Sequence, residues 1–62
     1  SIKKLMLEAL KEEELTVIQL SEKLNMPTDK VFYYLMSLVK YGFVKTGDID
    51  DMDEYYTYKL NE

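Results

Sequence analysis

The most informative absences in this chain concern its chemically reactive side chains. It contains no cysteine, histidine, arginine or tryptophan, and only one proline and two glycines. The lack of cysteine excludes disulfides and thiolate metal sites, and it is typical of proteins from a reducing compartment. The lack of histidine and cysteine removes the commonest acid–base groups, nucleophiles and metal ligands of enzymes. We therefore expect no catalytic residues, no metal and no cofactor.

Long apolar runs are absent as well. No stretch of the sequence approaches the ~20 apolar residues that a helix needs to cross a bilayer. The N-terminus lacks the apolar centre of a signal peptide, and no glycine-rich phosphate-binding loop is present. We expect a cytoplasmic protein that is not an enzyme, with no membrane partner and no small-molecule substrate.

The apolar content is high, at 47% of 62 residues, which is sufficient for a folded core. The length predicts one domain over residues 1–62, near the lower limit for a single hydrophobic core. The net charge of −4 is unevenly distributed. Residues 21–45 carry four lysines and two carboxylates, whereas residues 46–62 carry one lysine and six carboxylates. The middle of the chain is therefore mildly basic and its C-terminal part strongly acidic.

The spacing of apolar residues predicts a first helix over residues 2–13. Apolar side chains recur there at intervals of three and four residues, as in one buried stripe of a helix. The stripe consists of Ile2, Leu5, Met6, Ala9 and Leu10. Leu7 falls outside it and is expected to be partly exposed. Leu15 and Thr16 are predicted to form a short strand before the next helix.

The next segment has the pattern of two helices joined by a tight turn. Thr16 and Gln19 have the spacing of a capping box, which predicts that the second helix begins at Val17. Asn25 can adopt the left-handed conformation that ends a helix. Pro27 disfavours helical structure in the residue before it, so the second helix should end near Asn25.

The third helix is predicted to begin with Thr28 as its N-cap and to end near Tyr41, ahead of Gly42. Its buried stripe is predicted to contain Val31, Tyr34, Leu35 and Leu38. Residues 43–46 favour a strand and residues 47–54 a turn. Residues 55–60 alternate as a second strand, with Tyr56, Tyr58 and Leu60 on one face.

The predicted elements form an α+β domain of three helices, a short strand before the second helix and a C-terminal β-hairpin. The segments that carry a family pattern are residues 15–24, residues 27–31, Leu35, Leu38 and residues 42–45. In these segments the chain resembles the winged helix-turn-helix of bacterial and archaeal transcription regulators. The resemblance is to the arsenical-resistance and multiple-antibiotic-resistance repressor families in particular. The hairpin corresponds to the wing.

This resemblance implies a transcription regulator that binds double-stranded DNA, with the third helix as the reader of the major groove. The DNA-binding residues that it implies are Thr28, Lys30, Phe32, Tyr33, Met36, Lys40 and Lys45. Lysines would contact phosphates, and Phe32 would contact a thymine methyl group. A homodimer formed through the first helix, through exposed Leu7 or through the hairpin would double the phosphate contacts.

The charge of the chain leads to an alternative hypothesis. Without arginine the commonest specific contact to guanine is unavailable, and the carboxylates of the predicted turn would repel the DNA backbone. The alternative is a protein–protein docking module within a larger assembly. Its partner-binding residues would be Phe32, Tyr33, Met36, Asp50, Asp51 and Asp53. Phe32 and Tyr33 could instead lie against the hairpin as part of the core, and the domain could serve only to position a neighbour.

The predicted turn over residues 47–54 also resembles a calcium-binding loop superficially. Methionine stands at position 52, where such a loop needs an oxygen ligand, and Asp53 stands where it needs glycine. We therefore expect a solvated acidic turn without a metal.

Overall fold

The computed structural model describes residues 1–49 and 55–62. Within these residues it contains three helices and a three-stranded antiparallel sheet. The elements are α1 (Ile2–Glu12), β1 (Leu15–Thr16), α2 (Val17–Leu24), α3 (Thr28–Lys40), β2 (Val44–Ile49) and β3 (Tyr56–Leu60). This order confirms the predicted α+β winged helix-turn-helix. The predicted metal-free acidic turn falls largely on residues 50–54, which lie outside the described residues.

The core lies between the three helices and one face of the sheet. It contains Met6, Ala9, Leu10, Leu15, Leu20, Val31, Leu35, Leu38, Val44 and Tyr58. The prediction for α1 was wrong at Leu5, which is 52% exposed. The covered side of α1 is centred on Met6, Ala9 and Leu10, and Ile2 packs against the same core, whereas Leu5 lies beyond the edge of this side. Leu7 is half-buried against the core, as expected.

The start and end of α2 follow the sequence signals. The Thr16 hydroxyl accepts a hydrogen bond from the Gln19 backbone N–H at 3.1 Å, and the Gln19 side chain accepts one from the Thr16 N–H at 2.9 Å. This capping box satisfies donors that would otherwise be unpaired beside the core, since Thr16 is fully buried. Asn25 ends the helix in the left-handed conformation, with φ 54°.

The N-cap of α3 was predicted one residue too late. Pro27 is the cap, in an extended conformation, and Thr28 is the first helical residue. The Pro27 carbonyl accepts the hydrogen bond from the Val31 N–H at 3.1 Å, which is the first such bond along α3. The cap is supplied by backbone geometry, so the Thr28 side chain is released from a capping role and is exposed.

The end of α3 matches the prediction. Tyr41 caps the helix and Gly42 has φ +83°, a conformation that glycine adopts without steric cost. The Phe43 N–H then donates to the Leu38 carbonyl at 2.9 Å, which closes the helix and directs the chain into β2.

In the sheet, β3 lies between β1 and β2. β2 is longer than predicted: it begins at Val44 and not at Phe43, and it includes Gly47, Asp48 and Ile49, which the sequence had placed in the turn. Glycine at position 47 leaves room for two neighbouring side chains, because a Cβ atom there would clash with the Glu14 carboxylate and would lie 2.6 Å from the Thr57 hydroxyl oxygen. That hydroxyl lies 2.9 Å from the Asp48 carbonyl oxygen and 2.9 Å from a Glu14 carboxylate oxygen, and it donates its one proton to either acceptor in turn.

Tyr58 is buried as predicted, and burial raises the pKa of its hydroxyl. Tyr56 was predicted to share that face and is instead 55% exposed. The pairing of β2 with β3 is irregular between Thr46 and Ile49, and Tyr56 pairs with Ile49 beyond that irregularity. The alternation of buried and exposed side chains along β3 is therefore interrupted before Tyr56.

Candidate nucleic-acid interface

The two sides of α3 have different environments. Val31, Leu35 and Leu38 point into the core and are buried. The opposite side carries Asp29, Tyr33 and Lys40, spaced by four and seven residues, and all three are exposed. Tyr33 is 72% exposed. One side of this helix therefore holds the fold together while the other is open to a ligand.

Two shallow grooves border α3, each of about 330 Å³. The first groove is lined by Val17, Ile18, Thr28, Asp29, Phe32 and Tyr55. It lies where the starts of α2 and α3 meet the residue before β3. Most of its lining side chains are apolar, with one hydroxyl and one carboxylate on the α3 side. Such a surface can contact the apolar edge of a ligand and hydrogen-bond to a donor beside it.

The second groove runs along the later half of α3. It is lined by Tyr33, Met36, Ser37, Lys40 and Tyr41. The Tyr33 ring stands edge-on to the Tyr34 ring, with centroids 5.5 Å apart, and this contact favours one orientation of the Tyr33 side chain. The Lys40 Nζ lies 5.8 Å from the centroid of the Tyr41 ring. The groove thus presents aromatic, hydroxyl and ammonium groups side by side.

The lysines differ in their exposure and in the charged groups near them. Lys30, Lys40 and Lys45 are exposed. Lys23 is different, because its Nζ lies 3.4 Å from a carboxylate oxygen of Glu12. On the sheet, Lys45 pairs directly with Lys59 across the two strands. Like charges in this arrangement destabilise a sheet, and an anion placed over the pair would relieve the repulsion.

The predicted DNA-binding residues fall into three groups. Thr28 and Phe32 line the first groove, and Tyr33, Met36 and Lys40 line the second. Lys30 and Lys45 line neither groove. Met36 is half-buried against the core, so less of it is available to a ligand than the sequence suggested.

The sequence prediction missed two groups of lining residues. Ser37 and Tyr41 line the second groove, and Ser37 lies one turn after Tyr33, so helical periodicity could have identified it. Val17 and Ile18 of α2 line the first groove, and only the packing of α2 beside α3 brings them there. No local signal in the sequence marks that contact.

The residues of the docking alternative are only partly described. Phe32 and Tyr33 are exposed and do not complete the core. Asp50, Asp51 and Asp53 lie outside the described residues.

Among residues 1–49 and 55–62, no group of three or more carboxylates is arranged to hold a metal ion. No helix in that same part of the chain is long and apolar enough to span a membrane.

α3 has one buried and one open side, follows α2 after a tight turn, and precedes the hairpin of β2 and β3. This arrangement defines a class of protein. It is the winged helix-turn-helix of DNA-binding transcription regulators. The sequence pattern of the family described as bacterial regulatory protein, arsR family, matches residues 1–46. The chain belongs to this family. Among curated proteins, none matches the sequence.

Solved structures show the same fold. Two crystal structures of the adhesin competence repressor AdcR from Streptococcus pyogenes, one of them C-terminally His-tagged, superpose with a TM-score of 0.89. Both are 25% identical to this sequence, and the match covers 100% of this chain. It covers 46% of one repressor chain and 45% of the other, so this chain spans less than half their length. The matched family is described as regulatory and the matched structures as repressors.

Proposed function

We propose that this chain binds double-stranded DNA in the bacterial cytoplasm as the operator-reading part of a transcription regulator, with α3 in the major groove. The observation that carries the proposal is the open side of α3, which extends from Asp29 to Lys40 while the opposite side is buried. A helix of 13 residues is about 20 Å long, which suits the groove. Because the matched structures are repressors, we propose that binding represses transcription.

Each proposed contact has a defined role. Lys30, Lys40 and Lys45 contact phosphates, which fix the position of α3 and supply most of the affinity. Base edges are contacted by Thr28, Phe32, Tyr33 and Met36. The Lys45–Lys59 pair supports this assignment, because its mutual repulsion is relieved when a phosphate lies between the two ammonium groups. Neither the family match nor the structural matches favour the docking alternative.

Binding through lysines predicts a steep dependence on salt. We expect the affinity for a fluorescent duplex, measured by anisotropy between 50 and 200 mM salt, to fall with a log–log slope of about −3 per bound chain. This slope corresponds to three phosphate contacts. A chain that fails to bind at 50 mM salt, or that binds with a slope near zero, would contradict the proposal.

We further propose that the DNA-bound form is a homodimer that contacts two half-sites. Two chains related by a two-fold axis match a palindromic site and double the phosphate contacts. The exposed leucine of α1 is Leu5 and not Leu7, so we place the dimer contact at Leu5. A single leucine is a small contact, so the dimer should be weak in the absence of DNA.

The Leu5→Lys variant tests this contact. Because Leu5 is more than half exposed, the melting temperature should change by only a few degrees. Binding to a duplex with two half-sites should weaken about tenfold or more, whereas binding to one half-site should not weaken. Leu7→Lys is the comparison at the position first expected, and it should lower stability because Leu7 packs against the core. Equal binding of Leu5→Lys and the wild type to both duplexes would remove Leu5 from the dimer contact.

A further inference from the structure

We propose that Asp29 selects cytosine at one fixed position of the bound DNA, by accepting a hydrogen bond from the cytosine N4 amino group. The inference rests on the proposed binding of DNA by α3, and it identifies what one part of that helix reads. The other proposed contact residues of α3 are neutral or basic, and Asp29 is the carboxylate among them.

The position of Asp29 places its carboxylate where bases are read. It lies one turn before Tyr33 on the open side of α3, in the part of a recognition helix that reaches base edges. Within residues 1–49 and 55–62 the ion pair and side-chain hydrogen bonds involve other residues, such as Glu12, Lys23 and Thr57. In this described part of the chain, both carboxylate oxygens of Asp29 are open to an external donor.

The surroundings of Asp29 match the edge of a cytosine. Phe32 follows three residues later, so the two side chains are neighbours on the helix surface and line the same groove. In the major groove, cytosine presents its N4 amino donor beside an apolar C5 edge. The carboxylate accepts from the amino group while the Phe32 ring contacts the C5 edge. Thymine presents the O4 acceptor at the same place, which the carboxylate repels.

The negative charge of Asp29 has a use in a DNA-binding surface, because it can increase specificity. A carboxylate repels phosphates and lowers the affinity for every duplex alike. The chain has no arginine, so it lacks the side chain that most often reads guanine. Reading cytosine identifies the same base pair from the opposite strand. Asp29 thus reduces nonspecific binding and recovers affinity only where cytosine is present.

A purely structural role for Asp29 makes a different prediction. A carboxylate in the first turn of α3 interacts favourably with the helix dipole, and this interaction affects stability alone. Loss of a purely repulsive charge, in turn, would raise the affinity for all duplexes equally. Only direct reading of cytosine makes the effect of a substitution depend on one base pair.

The experiment selects duplexes from a randomised pool with the full chain and then measures affinities for defined sites. The wild type should prefer cytosine at one position, and changing that base pair so that thymine replaces cytosine should weaken binding about tenfold. Replacement by 5-methylcytosine should change binding by less than about twofold, because the amino group remains and the methyl group faces Phe32. The Asp29→Ala variant should bind cytosine and thymine sites equally, and Asp29→Asn should shift the preference to adenine.

Glu8→Gln is the matched control, because it removes one exposed carboxylate from the outer side of α1 and should leave the cytosine preference intact. DNA binding by the wild type without a cytosine preference that Asp29→Ala removes would overturn the inference and leave DNA binding in place. Uniformly tighter binding of Asp29→Ala to every duplex would overturn it as well. A wild type that binds no duplex rejects both this inference and the proposed function.

Discussion

The triple variant with Lys30, Lys40 and Lys45 all replaced by alanine should bind duplex DNA on the order of 10²–10³-fold more weakly than the wild type at 0.1 M salt. Each phosphate contact that is lost forfeits the release of about 0.9 counterion, which is worth roughly eightfold in affinity at that concentration. All three lysines are exposed, so the fold should remain intact. Anisotropy titrations measure the affinity, and circular dichroism measures the fold.

A second triple variant separates contact from net charge. Replacing Lys3, Lys4 and Lys11 with alanine removes the same number of positive charges, three, from exposed positions of α1. α1 contacts α3, whose core-facing residues are Val31, Leu35 and Leu38. On a duplex with one half-site, where the proposed Leu5 dimer contact plays no part, these lysines should act on the DNA only through the long-range field. We expect this variant to lose no more than about fivefold in affinity at 0.1 M salt. Equal losses in the two variants would show that net charge governs binding, and α3 would lose its assignment as the contact surface.

The single substitutions within the first variant should differ in their salt dependence from those at base-reading positions. Removing a phosphate contact lowers the salt slope by about one and weakens binding to all sequences alike. Removing a base contact leaves the slope unchanged and weakens binding at one base pair. The two kinds of residue can therefore be separated without a structure of the complex.

The sequence predicted the helices well, because their signals are local. The capping box of Thr16 and Gln19 and the left-handed Asn25 are each specified within a few residues, and the structure contains both. Gly42 is another example, since its positive φ is needed where α3 ends. In such cases the backbone has few alternatives, so residue type alone is informative.

Predictions that depend on distant contacts were less accurate. Gly47 was assigned to a turn because glycine is common in turns, yet it lies in β2 beside Thr57. Leu5 was assigned to the buried stripe because its spacing fits a helix, yet the neighbouring elements do not reach it. In both cases the outcome depends on where residues far away in the sequence lie, beside Gly47 but not over Leu5.

The candidate site shows the same division. The exposure of Tyr33 follows from the periodicity of α3, and so does the burial of Leu35 on the opposite side. The first groove does not follow from periodicity, because it needs α2, α3 and Tyr55 to meet. The role proposed for Asp29 depends on its place beside that groove, since the sequence alone shows one more carboxylate in an acidic chain.

Leu35→Ala should destabilise the domain more than any change on the open side of α3. Leu35 is fully buried, and replacing such a leucine with alanine costs about 2–5 kcal/mol of the free energy of unfolding. For a domain of this size the melting temperature should fall by roughly 10–40 °C. A core this small rarely supplies more than about 3–5 kcal/mol, so much of the variant should be unfolded at 37 °C.

Tyr33→Ala, two residues earlier on the same helix, should have the opposite effect: a small loss of stability and a large loss of affinity for DNA. The side chain is mostly exposed, and its stabilising contact is the edge-on packing against Tyr34, worth about 1 kcal/mol. The melting temperature should therefore fall by less than about 10 °C, while the affinity for DNA should fall about tenfold. If Tyr33→Ala lowered stability as much as Leu35→Ala, Tyr33 would belong to the core. The open side of α3, on which DNA binding is proposed, would then not exist, because a helix cannot bury both sides and still present a reading surface.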